Sequence, residues 1–434
     1  MDSRFIEAGM VFINCGARSR DDGANGKMPT PVIDLKSCVR MLRLNDDVIP
    51  GNCDNIISLG GSGAGQMSSI LGASGNMEEY YPYLYENKAP GIEKDGDEYV
   101  STIDDNIYAS MCYCPIADLE NADLAYAWSR YDVGDTDFIP MFGEGATFTE
   151  FQLELQNDLA VAFCEYINTL NLVNEDGEAL NFDTDEDGNI ISPRQGSFYD
   201  QILENISDAL NAFAKNQTFP YEITVGFGPD AVTNTYESFD DFKSKTMTDT
   251  DKWLTQDEDG TYHVTDLAGF YNGTSLARNK NIPGFDTFWA TEEGNGFGTS
   301  SEDAVHFSKS VAAVLKKNYD KYKELDGFDA CDVDDYIEQT SREDIANQTA
   351  LMNATHLLLD VAAGDKNADI AKFWRTRNGT ADEHTSFSIA YNLCRAAEAA
   401  GAEADYSLVY NMPHGDDEGE TTGTLIDWIN DIVK

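Results

Sequence analysis

The stretch Asp54-Asn-Ile-Ile-Ser-Leu-Gly60-Gly-Ser62-Gly-Ala-Gly65-Gln-Met-Ser-Ser-Ile-Leu-Gly-Ala-Ser-Gly-Asn76 decides how this chain reads. It runs as a strand, a sharp glycine turn with Ser62 at its apex, and a helix of small residues. That is the layout of a nucleophile elbow, where a serine stands clear of its own backbone and can attack a carbonyl. In the usual Gly-x-Ser-x-Gly pattern the residues two before and two after the serine are small, because side chains there would collide. Here they are Gly60 and Ala64, with Gly65 one step further on. A phosphate cradle fits less well. The dinucleotide fingerprint G-x-G-x-x-G is not spaced like Gly61-Ser-Gly63-Ala-Gly65, and no lysine closes a P-loop. Taken alone, the segment leaves an elbow and a plain tight turn open.

Outward from the elbow, residues 1–127 alternate strand and helix. Strands are expected at Met10–Asn14, Asp54–Leu59 and Ile107–Cys114. A helix between the first two carries Leu35, Cys38, Val39 and Leu42 on one face. Residues 128–355 break the rhythm with long amphipathic helices, Phe151–Leu170 and Phe198–Phe213, and acidic turns at 174–177, 183–188 and 256–260. The rhythm returns in residues 356–434, with strands Phe373–Asn378 and Tyr406–Tyr410 and helices Thr385–Ala400 and Leu425–Val433. This βαβ pattern predicts an α/β-hydrolase fold: a mainly parallel sheet with helices on both faces, interrupted by a large, mostly helical lid.

Composition narrows the partners. The 434 residues are 41% hydrophobic and 25% charged, enough for a large core. With 78 acidic against 29 basic residues the net charge is -49, which opposes binding to nucleic acid and to anionic membranes. No apolar run reaches the length of about 18 residues that a membrane helix requires. The first residues lack the basic start and apolar core of a signal peptide, which makes the cytoplasm the default compartment. The eight cysteines, at 15, 38, 53, 112, 114, 164, 331 and 394, include no C-x-x-C pair and no zinc spacing. Free, mostly buried thiols are expected, with Cys112 and Cys114 sharing a strand face. Asp183-x-Asp185-x-Asp187-Gly188 begins like a calcium loop, but Arg194 stands where its closing glutamate belongs, so a solvated turn is favoured. No metal and no cofactor are expected.

A serine nucleophile needs a base. In α/β-hydrolases the order is Ser, then Asp or Glu, then His. Of five histidines, His414 follows the late strand Tyr406–Tyr410, and Asp382 follows the strand before it. Parallel strands put both loops at the same carboxyl end of the sheet as the elbow. Asp382 would set the tautomer of His414, which would take the proton of Ser62, and the Gly63 N–H would donate to the oxyanion. The bland readings are an exposed loop histidine and a helix-capping aspartate. His384 competes as base, but no later strand carries it.

With these residues in view, the chain resembles the bacterial tannases and their feruloyl-esterase-like relatives among the α/β-hydrolases. The resemblance rests on Ser62 and Ile70-Leu-Gly-Ala-Ser-Gly-Asn76, and on Asn14-Cys-Gly-Ala-Arg18, Val32-Ile-Asp-Leu-Lys36 and Ile49-Pro-Gly51. It extends to Tyr113-Cys-Pro-Ile-Ala-Asp-Leu-Glu-Asn-Ala-Asp123, Trp374-Arg-Thr-Arg-Asn-Gly-Thr380 and Pro413-His414. It implies a Ser62–Asp382–His414 triad under a lid and a small-molecule ester of a phenolic acid as substrate. In tannases a lid lysine and glutamate bind the galloyl hydroxyls; Lys280 and Glu293 match them. A third contact, an aspartate two residues after the catalytic one, is His384 here, so an acceptor-only carboxylate becomes an imidazole. By the same comparison the chain starts after the family's first strands and the loop giving the second oxyanion N–H, which also leaves a secreted form open. The rivals are a non-catalytic binding protein on this fold and a serine peptidase.

Overall fold

A computed structural model describes residues 3–134, 136–138, 145–225, 231–274, 284–288, 293–415 and 423–434. Its centre is one sheet of four strands, β1 (Ile57–Gly61), β2 (Ala109–Tyr113), β3 (Phe373–Gly379) and β4 (Glu403–Val409), lying side by side in that order. All three pairings are parallel. The register sets Gly61 opposite Tyr113, and Tyr113 opposite Arg377, so β1 and β2 end level beside β3. Loops leaving these ends therefore emerge together.

Parallel strands need long crossovers, and helices make them. While α1 (Thr30–Leu44) precedes the sheet, α2 (Gly63–Ala73) lies between β1 and β2, and α3 (Ala122–Ser129), α4 (Glu150–Leu170) and α5 (Ser197–Asn216) lie between β2 and β3. Between β3 and β4 lies α6 (Phe387–Ala399), and α7 (Leu425–Ile432) follows the sheet. Side chains alternate across a strand, and β2 shows the result. Cys112 joins the main core, whereas Met111 and Tyr113 point to the other face and pack with Leu425 of α7. Helices thus cover both faces, as expected of an α/β-hydrolase.

Between β2 and β3 the chain is largely helical. A capping box at Thr149 and Gln152 starts α4. Trp128 of α3 is fully buried, with ring centroids 5.2 Å from Phe163 of α4 and 5.7 Å from Phe198 of α5. These aromatics join the helical region to the core of the sheet. The acidic turns are tight: Asp185 accepts from the N–H groups of Asp187 and Asn189, and Thr184 bridges to Ile190. The Asp185 carboxylate is thus spent closing its own loop.

One expectation fails. Met10–Asn14 forms no strand, and Val11 and Ile13 are exposed. Its apolar run had the right local pattern, but strand structure needs a partner ladder and none reaches it among the described residues. On α1 the buried face includes Lys36 and Arg40. Both pair with fully buried Asp105, at 2.8 and 2.6 Å.

Candidate active site

Ser62 sits between β1 and α2 with φ 57° and ψ −123°, a conformation that costs a non-glycine residue free energy. The turn is held by its backbone: the Ser62 N–H donates to Tyr113 O at 3.0 Å, and the Gln66 N–H donates to Ser62 O. A Cβ on Gly60 would lie 2.1 Å from Ala64 O, and one on Gly65 would lie 2.8 Å from Tyr113 O. The second close approach thus falls at Gly65, which is buried, while Ala64 is exposed. That resolves the alanine in the sequence pattern. Gly63 opens the helix, where the first N–H groups have no intrahelical acceptor.

The loops after β3 and β4 are stitched together. Thr380 N–H donates to Val409 O, Asn411 N–H to Thr380 Oγ1, and Ala381 N–H to Met412 O. This lacing brings Asp382 to His414, whose Nδ1 lies 3.0 and 3.1 Å from the two carboxylate oxygens. The buried carboxylate is also fixed by the N–H groups of His384 and Thr385, the Thr385 hydroxyl and the Asn378 amide. Burial alone would raise its pKa, but His414 and Thr385 outweigh that and hold it below the ordinary carboxylate value. Burial tends to lower the pKa of His414, yet Asp382 and Cys114 lift it above the usual imidazole value.

The other face of the imidazole holds the feature that sequence reading missed. His414 Nε2 lies 4.0 Å from Cys114 Sγ. Cys114 follows β2 directly and has φ 35°, which turns it out of the strand's alternation, so it does not share a face with Cys112 as expected. Ser62 Oγ makes no hydrogen bond among the described residues. Only the strand register, which places both residues after level strand ends, could have pointed to Cys114.

The remaining sequence-named residues differ in their surroundings. The His384 ring lies edge-on to His414, with centroids 5.0 Å apart, and burial lowers its pKa. Its Nε2 is 3.6 Å from a Glu383 carboxylate oxygen. Asp382 and Glu383 border a polar cleft shared with Tyr126, Arg130 and Tyr271. Glu293 is half-buried and ion-paired with Arg20, far back in sequence, and desolvation raises its pKa. Lys280 lies outside the described residues. Among the described residues, one group of three metal-capable side chains gathers, Cys114, Asp382 and His414, with ligand atoms within 4.8 Å of one another.

The fold that carries these residues is similar to that of solved enzymes. A Fusobacterium nucleatum tannase matches with TM-score 0.69 at 26% identity, covering 96% of this chain and 77% of that one. The tannin acyl hydrolase of Lactobacillus plantarum matches with TM-score 0.70 at 25% identity, covering 96% and 76%. The chain is tannase-like in structure along nearly its whole length. The tannase-like core is thereby that of a carboxylic ester hydrolase at the level of the fold. The ethyl gallate complex of the tannin acyl hydrolase matches equally, with TM-score 0.70. No protein-family model and no curated protein matches the sequence.

Proposed function

We propose that the chain is a serine esterase acting on esters of phenolic, galloyl- or feruloyl-like acids. The observation that carries this reading is the His414–Asp382 pair at the carboxyl end of the sheet that bears the Ser62 elbow. Asp382 accepts only, so it keeps the proton of His414 on Nδ1 and leaves Nε2 as a base. Ser62 Oγ attacks the ester carbonyl while His414 Nε2 takes its proton. The Gly63 N–H donates to the oxyanion. Collapse expels the alcohol, which receives the proton from His414, and water then repeats the sequence on the acyl-enzyme. Residues 128–355 act as the lid, and Lys280, Glu293 and His384 contact the acyl ring. Hydrolysis of nitrophenyl, gallate and ferulate esters by wild type and Ser62→Ala tests the assignment. Equal rates in both would end it.

A second reading is a non-catalytic binding protein on the same fold. It is favoured by one observation: His414 Nε2 faces Cys114 in place of Ser62. Resting relays are often longer than working ones, which limits its weight. Labelling of Ser62 by a fluorophosphonate separates the two.

A further inference from the structure

Cys114 and His414 form a pair that the esterase reading does not use. Cys114 Sγ and His414 Nε2 face each other at 4.0 Å. Thiolate and imidazole are the ligands that soft divalent cations select. Zinc bonds of about 2.3 Å to sulfur and 2.0–2.1 Å to nitrogen at a tetrahedral angle give an S···N span of about 3.6 Å, and a straight arrangement gives about 4.4 Å. The observed span lies between these limits, so an ion fits with the backbone in place.

The surroundings are already arranged for this. A metal-bound histidine usually donates its other ring N–H to a carboxylate, which fixes tautomer and ring plane. Asp382 does that for His414 Nδ1. Its oxygens also accept from His384, Thr385 and Asn378, so Asp382 orients and does not ligate. Ser62 is half-buried and Gly63 exposed, which opens the site on that side. The net charge of -49 raises the local concentration of cations.

We propose that Cys114 Sγ and His414 Nε2 bind a soft divalent cation, Zn2+ or Cd2+, and that the bound ion switches off the base. Binding forms a metal–sulfur bond and releases the thiol proton to solvent. His414 loses any Nε2 proton to solvent, gives that lone pair to the metal, and keeps its proton on Nδ1, donated to Asp382. With that lone pair occupied, His414 cannot take the proton of Ser62. The inhibitory consequence rests on the esterase reading; the binding does not.

The test uses the chelator-treated full chain in a Cys331→Ser background, because Cys331 is exposed. Cd2+ is titrated while thiolate-to-cadmium absorption is recorded, and Zn2+ binding is followed by calorimetry. One ion per chain is expected, with the band lost in Cys114→Ala and affinity at least tenfold weaker in His414→Ala. Ser62→Ala keeps the band. Ester hydrolysis by the Cys331→Ser protein falls with Zn2+ and returns with chelator, whereas residual hydrolysis by Cys114→Ala resists Zn2+ at least tenfold better. Circular dichroism, with Cys114→Ser as a second variant, shows which proteins are folded. A band and a Zn2+ affinity unchanged in folded Cys114→Ala would overturn the proposal. Normal metal binding in a chain that hydrolyses no ester would overturn the esterase reading instead.

Discussion

His414 and Asp382 meet in a two-oxygen contact of 3.0 and 3.1 Å, although 31 residues separate them and each belongs to a different loop. The contact exists because β3 and β4 are parallel neighbours whose carboxyl ends are laced together by Thr380 and Asn411. Asp382 is pinned by donors on every side, so the imidazole must come to it.

This dictates the effect of Asp382→Asn. An amide can donate to Nδ1 and stabilise the wrong tautomer, placing the proton on Nε2. We expect kcat to fall roughly 10⁴-fold with little change in KM, measured on a nitrophenyl ester. A fall of less than tenfold would remove Asp382 from the relay.

The pH profile follows from the raised pKa of His414. The base must be neutral, so kcat/KM rises as His414 loses its proton, and the acid limb lies above the ordinary imidazole value of 6.5. Cys114 is one of the groups that raise it, so Cys114→Ala moves the limb toward lower pH. For stability the sign is opposite: the Asp382–His414 attraction is complete below the ordinary imidazole value and fades as pH rises through the raised one. On the acid side the lowered pKa of Asp382 keeps its share above the ordinary carboxylate value, and that share is lost as pH falls through the lowered one.

The elbow makes a prediction about three glycines. A Cβ at Gly60 meets backbone at 2.1 Å and one at Gly65 at 2.8 Å, whereas one at Gly63 meets nothing within 4 Å. Gly60→Ala and Gly65→Ala should therefore lower the thermal midpoint by several degrees, and Gly63→Ala should leave it nearly unchanged. Equal shifts in all three would contradict the turn geometry.

How far the sequence carried these conclusions varies with the range of the interaction. The elbow was legible because strand, turn and helix are consecutive, and the order of Ser62, Asp382 and His414 could be matched to late strands. Cys114 was not, because its partner lies 300 residues away and its own positive φ turns it off the strand's alternation. The burial of Lys36 and Arg40 was not legible either, because Asp105, which pairs with both, is brought to them only by the tertiary fold. Met10–Asn14 had a strand's composition without a neighbour to bond.

The buried Lys36–Asp105–Arg40 cluster also anchors the helix behind the elbow, since Lys36 donates to Ser74 O and the Asn76 N–H to Asp105. Removing one partner leaves buried charge unpaired. Asp105→Ala should cost about 3–5 kcal/mol in urea unfolding. A loss below 1 kcal/mol would mean the cluster is solvated.

The central claim is that Ser62 is a nucleophile. Its most direct measurement is mass spectrometry of the full chain after treatment with a fluorophosphonate. The account predicts one adduct on the peptide carrying Ser62, absent in Ser62→Ala and much slower to form in His414→Ala. A folded wild-type chain that stays unlabelled while a control serine esterase reacts would contradict it.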